Sequence, residues 1–159
     1  MSKTPEPTTG GCMCGAVRYE AQGRPLGVAY CHCRSCRKQT GAPVVTFVAF
    51  EADKVRFLNR ERKIHHSSPG VKRAFCDHCG TPLSWEGPAR TFGATIIEFY
   101  ISTLDDPDGF VPDRHWFHGE RLPWFDVADD LPRFHGLEVG EKPVQHGPGP
   151  SRAAVGPEP

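Results

Sequence analysis

Seven cysteines in three short runs constrain this chain more than any other feature: Cys12-Met13-Cys14, Cys31-His32-Cys33-Arg34-Ser35-Cys36 and Cys76-Asp77-His78-Cys79. These spacings are those of metal ligands, and seven thiols divide naturally into four plus three. A zinc ion held by four thiolates is closed and structural, whereas one held by three keeps a position for water or substrate. Thiolates on tight turns between hairpin strands can converge, because the strands fix the turns and the knuckle backbone points amides at sulfur.

Cys76 and Cys79 form a C-x-x-C-G knuckle in which Gly80 supplies the positive φ that closes the turn. Such a knuckle contributes two ligands and needs a distant pair. Cys12 and Cys14 are the separate pair that remains, with two buried thiols in a first strand as the plainer reading. Joining the pairs would staple the start of the domain to its middle and turn metal binding into folding free energy. The central C-x-C-x-x-C is denser, and Cys31, Cys33 and Cys36 can bind one ion together and leave a vertex open. His32, between two ligands, is expected to point away from the metal. His115 and His78 are the histidines to test as a fourth ligand or an acid/base group. Arg34, Arg37 and Lys38 make the cluster locally basic; Arg37 and Lys38 are candidate anchors for an anionic ligand, against the reading that they are solvated side chains on an exposed turn. The longer basic patch, Arg60-Glu61-Arg62-Lys63 with Lys72-Arg73, reads as a solvated hairpin edge and is assigned no chemistry.

The 159 residues suffice for one ordinary domain. Lysine plus arginine balances aspartate plus glutamate at 19 each, so no basic footprint points to nucleic acid or to an anionic membrane. No apolar run reaches membrane-spanning length, and Met1 to Pro7 lacks a secretory apolar stretch, so a cytoplasmic setting is expected. In that reducing compartment closely spaced cysteines are metal ligands or catalytic groups rather than disulfides. Short stretches rich in β-branched and aromatic residues read as strands: Ala16 to Tyr19, Gly27 to Tyr30, Val44 to Phe50, Val55 to Leu58, Thr95 to Ile101, and residues 72 to 76 and 81 to 85 around the knuckle. Turn signals include Gly41-Ala42-Pro43, Ser68-Pro69-Gly70, Glu86-Gly87-Pro88 and Asp105 to Gly109. Polar, Pro-rich residues 1–9 and the Pro/Gly-rich residues 138–159 read as disordered, leaving a folded domain over 10–137.

Three segments carry a family resemblance: Gly11 to Tyr19, Cys31 to Lys38 leading to Gly41-Ala42, and Phe75 to Leu83. They resemble the glutathione-dependent formaldehyde-activating enzyme family, which also contains centromere protein V. Thr103 to Pro107, Pro123-Trp124-Phe125-Asp126 and Asp129 to Phe134 are similar to its closing motifs, extending the resemblance over roughly residues 10 to 135. It implies a mainly β fold, a β-tent of antiparallel sheets organised around zinc with few short helices. It also implies two zinc ions, one structural on Cys12, Cys14, Cys76 and Cys79 and one catalytic on Cys31, Cys33 and Cys36. Trp124 and Phe134 are expected in the core. The implied activity is that of a carbon-sulfur lyase, in which a thiol such as glutathione is activated for addition to formaldehyde or another small aldehyde. The competing class is a zinc-stabilised binding module for a protein or small thiol. A methionine-sulfoxide-reductase-like thiol enzyme would need a reactive cysteine outside the metal sites, and pairing all seven leaves none. The sequence leaves the oligomeric state open, a homo-oligomer included.

Overall fold

The structure, a computed structural model, describes residues 6–137, 140 and 142–144. The remainder of the expected tail over 138–159, like residues 1–5, lies outside the described residues. Ten strands follow in order: β1 (Thr8–Gly11), β2 (Arg18–Ala21), β3 (Gly27–Cys31), β4 (Val45–Glu51), β5 (Val55–Phe57), β6 (Lys63–Ser68), β7 (Val71–Phe75), β8 (Pro82–Ala89), β9 (Ala94–Tyr100) and β10 (His115–Trp116). A single α-helix, α1 (Arg34–Thr40), and three short 3-10 turns complete the described residues. None of the helices is long and apolar enough to cross a membrane.

The strands make two sheets, a three-stranded one ordered β1-β2-β5 and a seven-stranded one ordered β10-β3-β4-β9-β8-β7-β6. Pairing is antiparallel throughout except for the two-residue β10, which runs parallel to β3. The central strands, Val-Thr-Phe-Val-Ala-Phe-Glu and Ala-Thr-Ile-Ile-Glu-Phe-Tyr, are β-branched and aromatic because both faces of the large sheet are covered. Val48, Phe50, Ile97 and Phe99 turn one way, into a core shared with Val17, Tyr19 and Ala21. There the Tyr19 and Phe99 rings stack with centroids 3.7 Å apart. Phe47, Ile96 and Glu98 turn the other way, toward the central cysteine cluster.

Several expectations need correction. Thr8 and Thr9 are not disordered: they pair with Ala21 and Glu20, and Thr9 Oγ1 donates to Asp105 at 2.6 Å. Gly10 stands where any Cβ would collide with Tyr19 Oη and the Thr103 carbonyl, so β1 lies against the core at a point that only glycine permits. Glu86-Gly87-Pro88 is strand, not turn. β8 continues along β9 to Ala89, and Pro88 lies beyond the last β7 partner, Lys72↔Glu86, where its missing N–H interrupts no ladder on that side. Trp124 is 72% exposed and so is no core residue, whereas Phe134 is buried beside Ala29 and Trp116.

Candidate metal centre and cavity

Cys12 and Cys14 precede β2, and Cys76 and Cys79 occupy the turn between β7 and β8. The four ligand sulfurs lie within 4.8 Å of one another. Tetrahedral zinc with thiolate bonds near 2.3 Å requires sulfurs about 3.8 Å apart. Cys12 to Cys14 is 3.5 Å and Cys14 to Cys76 is 3.9 Å, so the cage has the dimension of one such ion. The backbone is shaped for it. The Val17 amide donates to Cys12 Sγ at 3.2 Å, and the Gly80 amide closes the knuckle on the Cys76 carbonyl at 2.8 Å with φ of 76°. Thr81 braces both halves, its hydroxyl accepting from the Met13 amide at 3.1 Å and meeting Cys79 Sγ at 3.1 Å.

The central cluster sits where β3 ends and α1 begins. Cys33 is the N-cap, its sulfur accepting from the Cys36 amide at 3.3 Å, and Gly41 ends the helix in the left-handed region at φ 73°. Cys31, Cys33 and Cys36 offer sulfurs within 4.8 Å of one another, and among the described residues no histidine or carboxylate joins that group. Hydrogen bonds donated by Cys31 and Cys36 hold the Cys33 thiol well below its ordinary pKa while Cys31 and Cys36 are themselves raised, so one thiolate is favoured among the three sulfurs. Arg73 turns its guanidinium onto Cys36 Sγ at 3.6 and 3.7 Å. The donor set and spacing of both clusters fit zinc.

The three sulfurs open onto a cavity of about 560 Å³. Phe47, Trp85, Phe92, Trp116 and Phe117 give it aromatic walls, and its charged lining is Arg73, Arg90, Glu98 and Glu120. Arg37 and Lys38 are not part of that lining. They border a separate recess with Pro43, Leu122 and Trp124, and Arg37 donates to the His32 carbonyl at 2.9 Å and the Glu120 carbonyl at 2.9 Å. In this position Arg37 fastens the cysteine loop to the 3-10 turn at His118–Glu120.

His32 is fully buried and turned away from the shared sulfurs, its Nε2 2.8 Å from His115 Nδ1. His115 Nε2 lies 3.1 Å from both oxygens of Asp129. The carboxylate accepts, so His115 carries its proton on Nε2 and receives the His32 Nε2–H on Nδ1. Burial, reinforced by His115, pushes His32 down to about 3, consistent with a neutral ring. Both nitrogens of His115 are therefore engaged, and it is not a fourth ligand. His78 is exposed on the knuckle turn and belongs to neither sulfur group. His118 Nε2 faces Asp126 at 3.5 Å. Arg133, 1% exposed, secures the segment that carries both carboxylates, donating to the Val127 and Leu131 carbonyls at 2.8 Å each and lying 3.1 Å from Asp129.

Two cavity residues lie outside the sequence expectations. Arg73 is 8% exposed rather than solvated, because Lys72 and Arg73 point to opposite faces of β7. Glu98 is a lone acid inside an apolar strand, and that break in Ile-Ile-Glu-Phe-Tyr is the signal that marks it.

A family model described as glutathione-dependent formaldehyde-activating enzyme matches residues 7–120. No curated protein matches the chain. The matched span includes all seven cysteines and stops short of Asp126, Asp129 and Arg133.

Proposed function

The chain belongs to the glutathione-dependent formaldehyde-activating enzyme family, and from that premise we propose that it is a zinc-dependent, carbon-sulfur lyase-type enzyme adding a thiol reversibly to a small aldehyde. The thiol is glutathione in this reading, and the aldehyde is formaldehyde or a close relative. The observation that carries it is the asymmetry of the two clusters: four sulfurs complete one cage, while three sulfurs face a cavity large enough for a small-molecule ligand.

Cys12, Cys14, Cys76 and Cys79 would hold the structural ion, and Cys31, Cys33 and Cys36 the reactive one. Zinc bound by three thiolates supplies a site at which a substrate thiol loses its proton below its usual pKa of about 8.5. The remaining work falls to the protein. Arg73 offsets negative charge at Cys36 from 3.6 Å, and the Cys36 amide does so at Cys33. With Arg73 held on Cys36 Sγ, Arg90 is the cavity-lining cation that takes, in this reading, the carboxylate-anchoring role expected of Arg37 and Lys38. Aromatic walls exclude water from the thiolate, which then attacks the carbonyl carbon to give a hemithioacetal, S-hydroxymethylglutathione when the aldehyde is formaldehyde. A reducing cytoplasmic setting keeps all seven thiols available.

The test follows hemithioacetal formation by proton NMR with zinc-loaded protein and with a Cys33→Ser variant. Thiols and aldehydes combine without a catalyst, so the rate above background is what counts. A wild-type excess that the variant loses supports the reading. Equal rates matching the background would sink it and leave a zinc-stabilised binding module.

A further inference from the structure

Two carboxylates are buried among the described residues, and they are treated differently. Glu86 is fully provided for, receiving Arg62 Nε at 2.6 Å, Arg62 Nη2 at 2.7 Å and Ser84 Oγ at 3.0 Å. Glu98 is 8% exposed, and among the described residues no hydrogen bond or ion pair reaches its carboxyl. Its oxygens are not sealed from solvent as His32 Nδ1, Trp116 Nε1 and Arg133 Nε are, so the carboxyl opens onto the cavity and what occupies it. Glu98 belongs to a row that crosses the sheet, Arg73↔Trp85↔Glu98↔Ala49, and strand alternation turns it into the cavity with Arg73 and Trp85. Arg73, its nearest cationic neighbour in that row, is committed to Cys36 Sγ. The carboxyl is thus left facing the same space as the three sulfurs.

We infer that Glu98 is the proton donor to the aldehyde oxygen during thiol addition, an assignment that rests on the thiol-activating reading above. As the sulfur–carbon bond forms, the carbon–oxygen π bond breaks and its electron pair moves to oxygen, which takes the proton from Glu98. The resulting carboxylate accepts the proton released when the next thiol ionises at the three-cysteine site. The acid is regenerated, and the sum is thiol plus aldehyde giving hemithioacetal.

Electrostatics support the geometry. Burial pushes the Glu98 carboxyl up to about 8, opposed by Arg73 and reinforced by negative charge at Cys33. A carboxylic acid kept neutral in this way can donate at neutral pH. The other titratable groups around the cavity are Arg90 in the β8–β9 connection, Glu120 in the 3-10 turn after β10, and Cys31 and Cys36 beside Cys33.

Zinc-loaded wild type and Glu98→Gln are to be compared for glutathione affinity by calorimetry and for adduct rate by NMR between pH 6 and 9. The glutathione Kd should stay within about twofold, while the rate above background falls about a hundredfold, the scale of general acid catalysis. The wild-type rate should decline above about pH 8 as the acid ionises, and that decline should be missing from the variant. A Glu98→Gln rate equal to wild type, or a loss with the pH profile unchanged, overturns the assignment and leaves the thiol-activation reading standing. A wild-type rate no faster than background overturns both.

Discussion

Arg133→Met removes the guanidinium that secures the segment from Asp126 to Leu131. That side chain is 1% exposed, and its two bonds to the Val127 and Leu131 carbonyls are 2.8 Å each. Hydrogen bonds from a charged donor contribute about 1.5–3 kcal/mol each. Methionine keeps the hydrocarbon stem's packing but leaves both carbonyls without this donor and the Asp129 carboxylate with only His115 and the Leu131 amide. Breaking a buried pair on one side costs about 3–5 kcal/mol. Asp129 is 22% exposed and regains some water, which places the loss near the low end, about 3 kcal/mol. For a protein of this size that lowers Tm by about 6–12 °C. Urea unfolding of the zinc-loaded protein measures it, with Arg56→Met as the reference. Arg56 also pairs with a carboxylate, Glu20 at 2.8 Å, but its side chain is 73% exposed, so its loss should cost no more than about 1 kcal/mol. A cost for Arg133→Met within about 1 kcal/mol of the reference would refute the claim that burial gives this pairing its weight.

Cys76→Ser and Cys36→Ser should each release one of two zinc ions, but with unequal effects on thermal stability. The four-sulfur cage closes a loop from Cys12 to Cys79, worth about 4 kcal/mol of chain entropy, whereas the three-sulfur cage spans six residues and is worth about 2; metal analysis with thermal melts compares them, and equal destabilisation counts against the structural assignment. Glu98 gives the pH prediction. Its folded pKa of about 8 exceeds the unfolded value of about 4.3, so the folded state holds the extra proton between these values and wild type loses stability as pH rises through that window. Glu98→Gln removes that slope, and its advantage over wild type in urea unfolding should grow by several kcal/mol between pH 5.5 and 8; a constant difference contradicts the sign.

The parts of this fold that sequence reveals are those set by local pattern. Cysteine spacing groups the thiols because metal geometry dictates it, and the β-branched runs locate β4 and β9 to within about a residue at each end. β6 is invisible to that method. Lys63–Ser68 is mostly exposed and polar, and backbone pairing with β7 makes it a strand. The cavity wall is harder still, since Arg73, Trp85 and Glu98 come from three strands and meet only through register. Arg37 and Lys38 are adjacent to the cysteines in sequence, yet α1 carries them around to another face. Closeness along a chain predicts well which sulfurs gather, and poorly the lining of a cavity.

The chain His32–His115–Asp129, with Arg133 beneath it, gives the two sulfur clusters different schedules of assembly. All four sulfurs of the first cage have been synthesised once Cys79 exists. The second has its three sulfurs by Cys36, but the ring between two of them rests on a carboxylate that arrives almost a hundred residues later. A nascent chain can therefore gather its four-sulfur group as soon as Cys79 is made, while the loop that shapes the three-sulfur cluster waits for Asp129. A truncation before Asp129 keeps every cysteine and still loses the anchor of that loop.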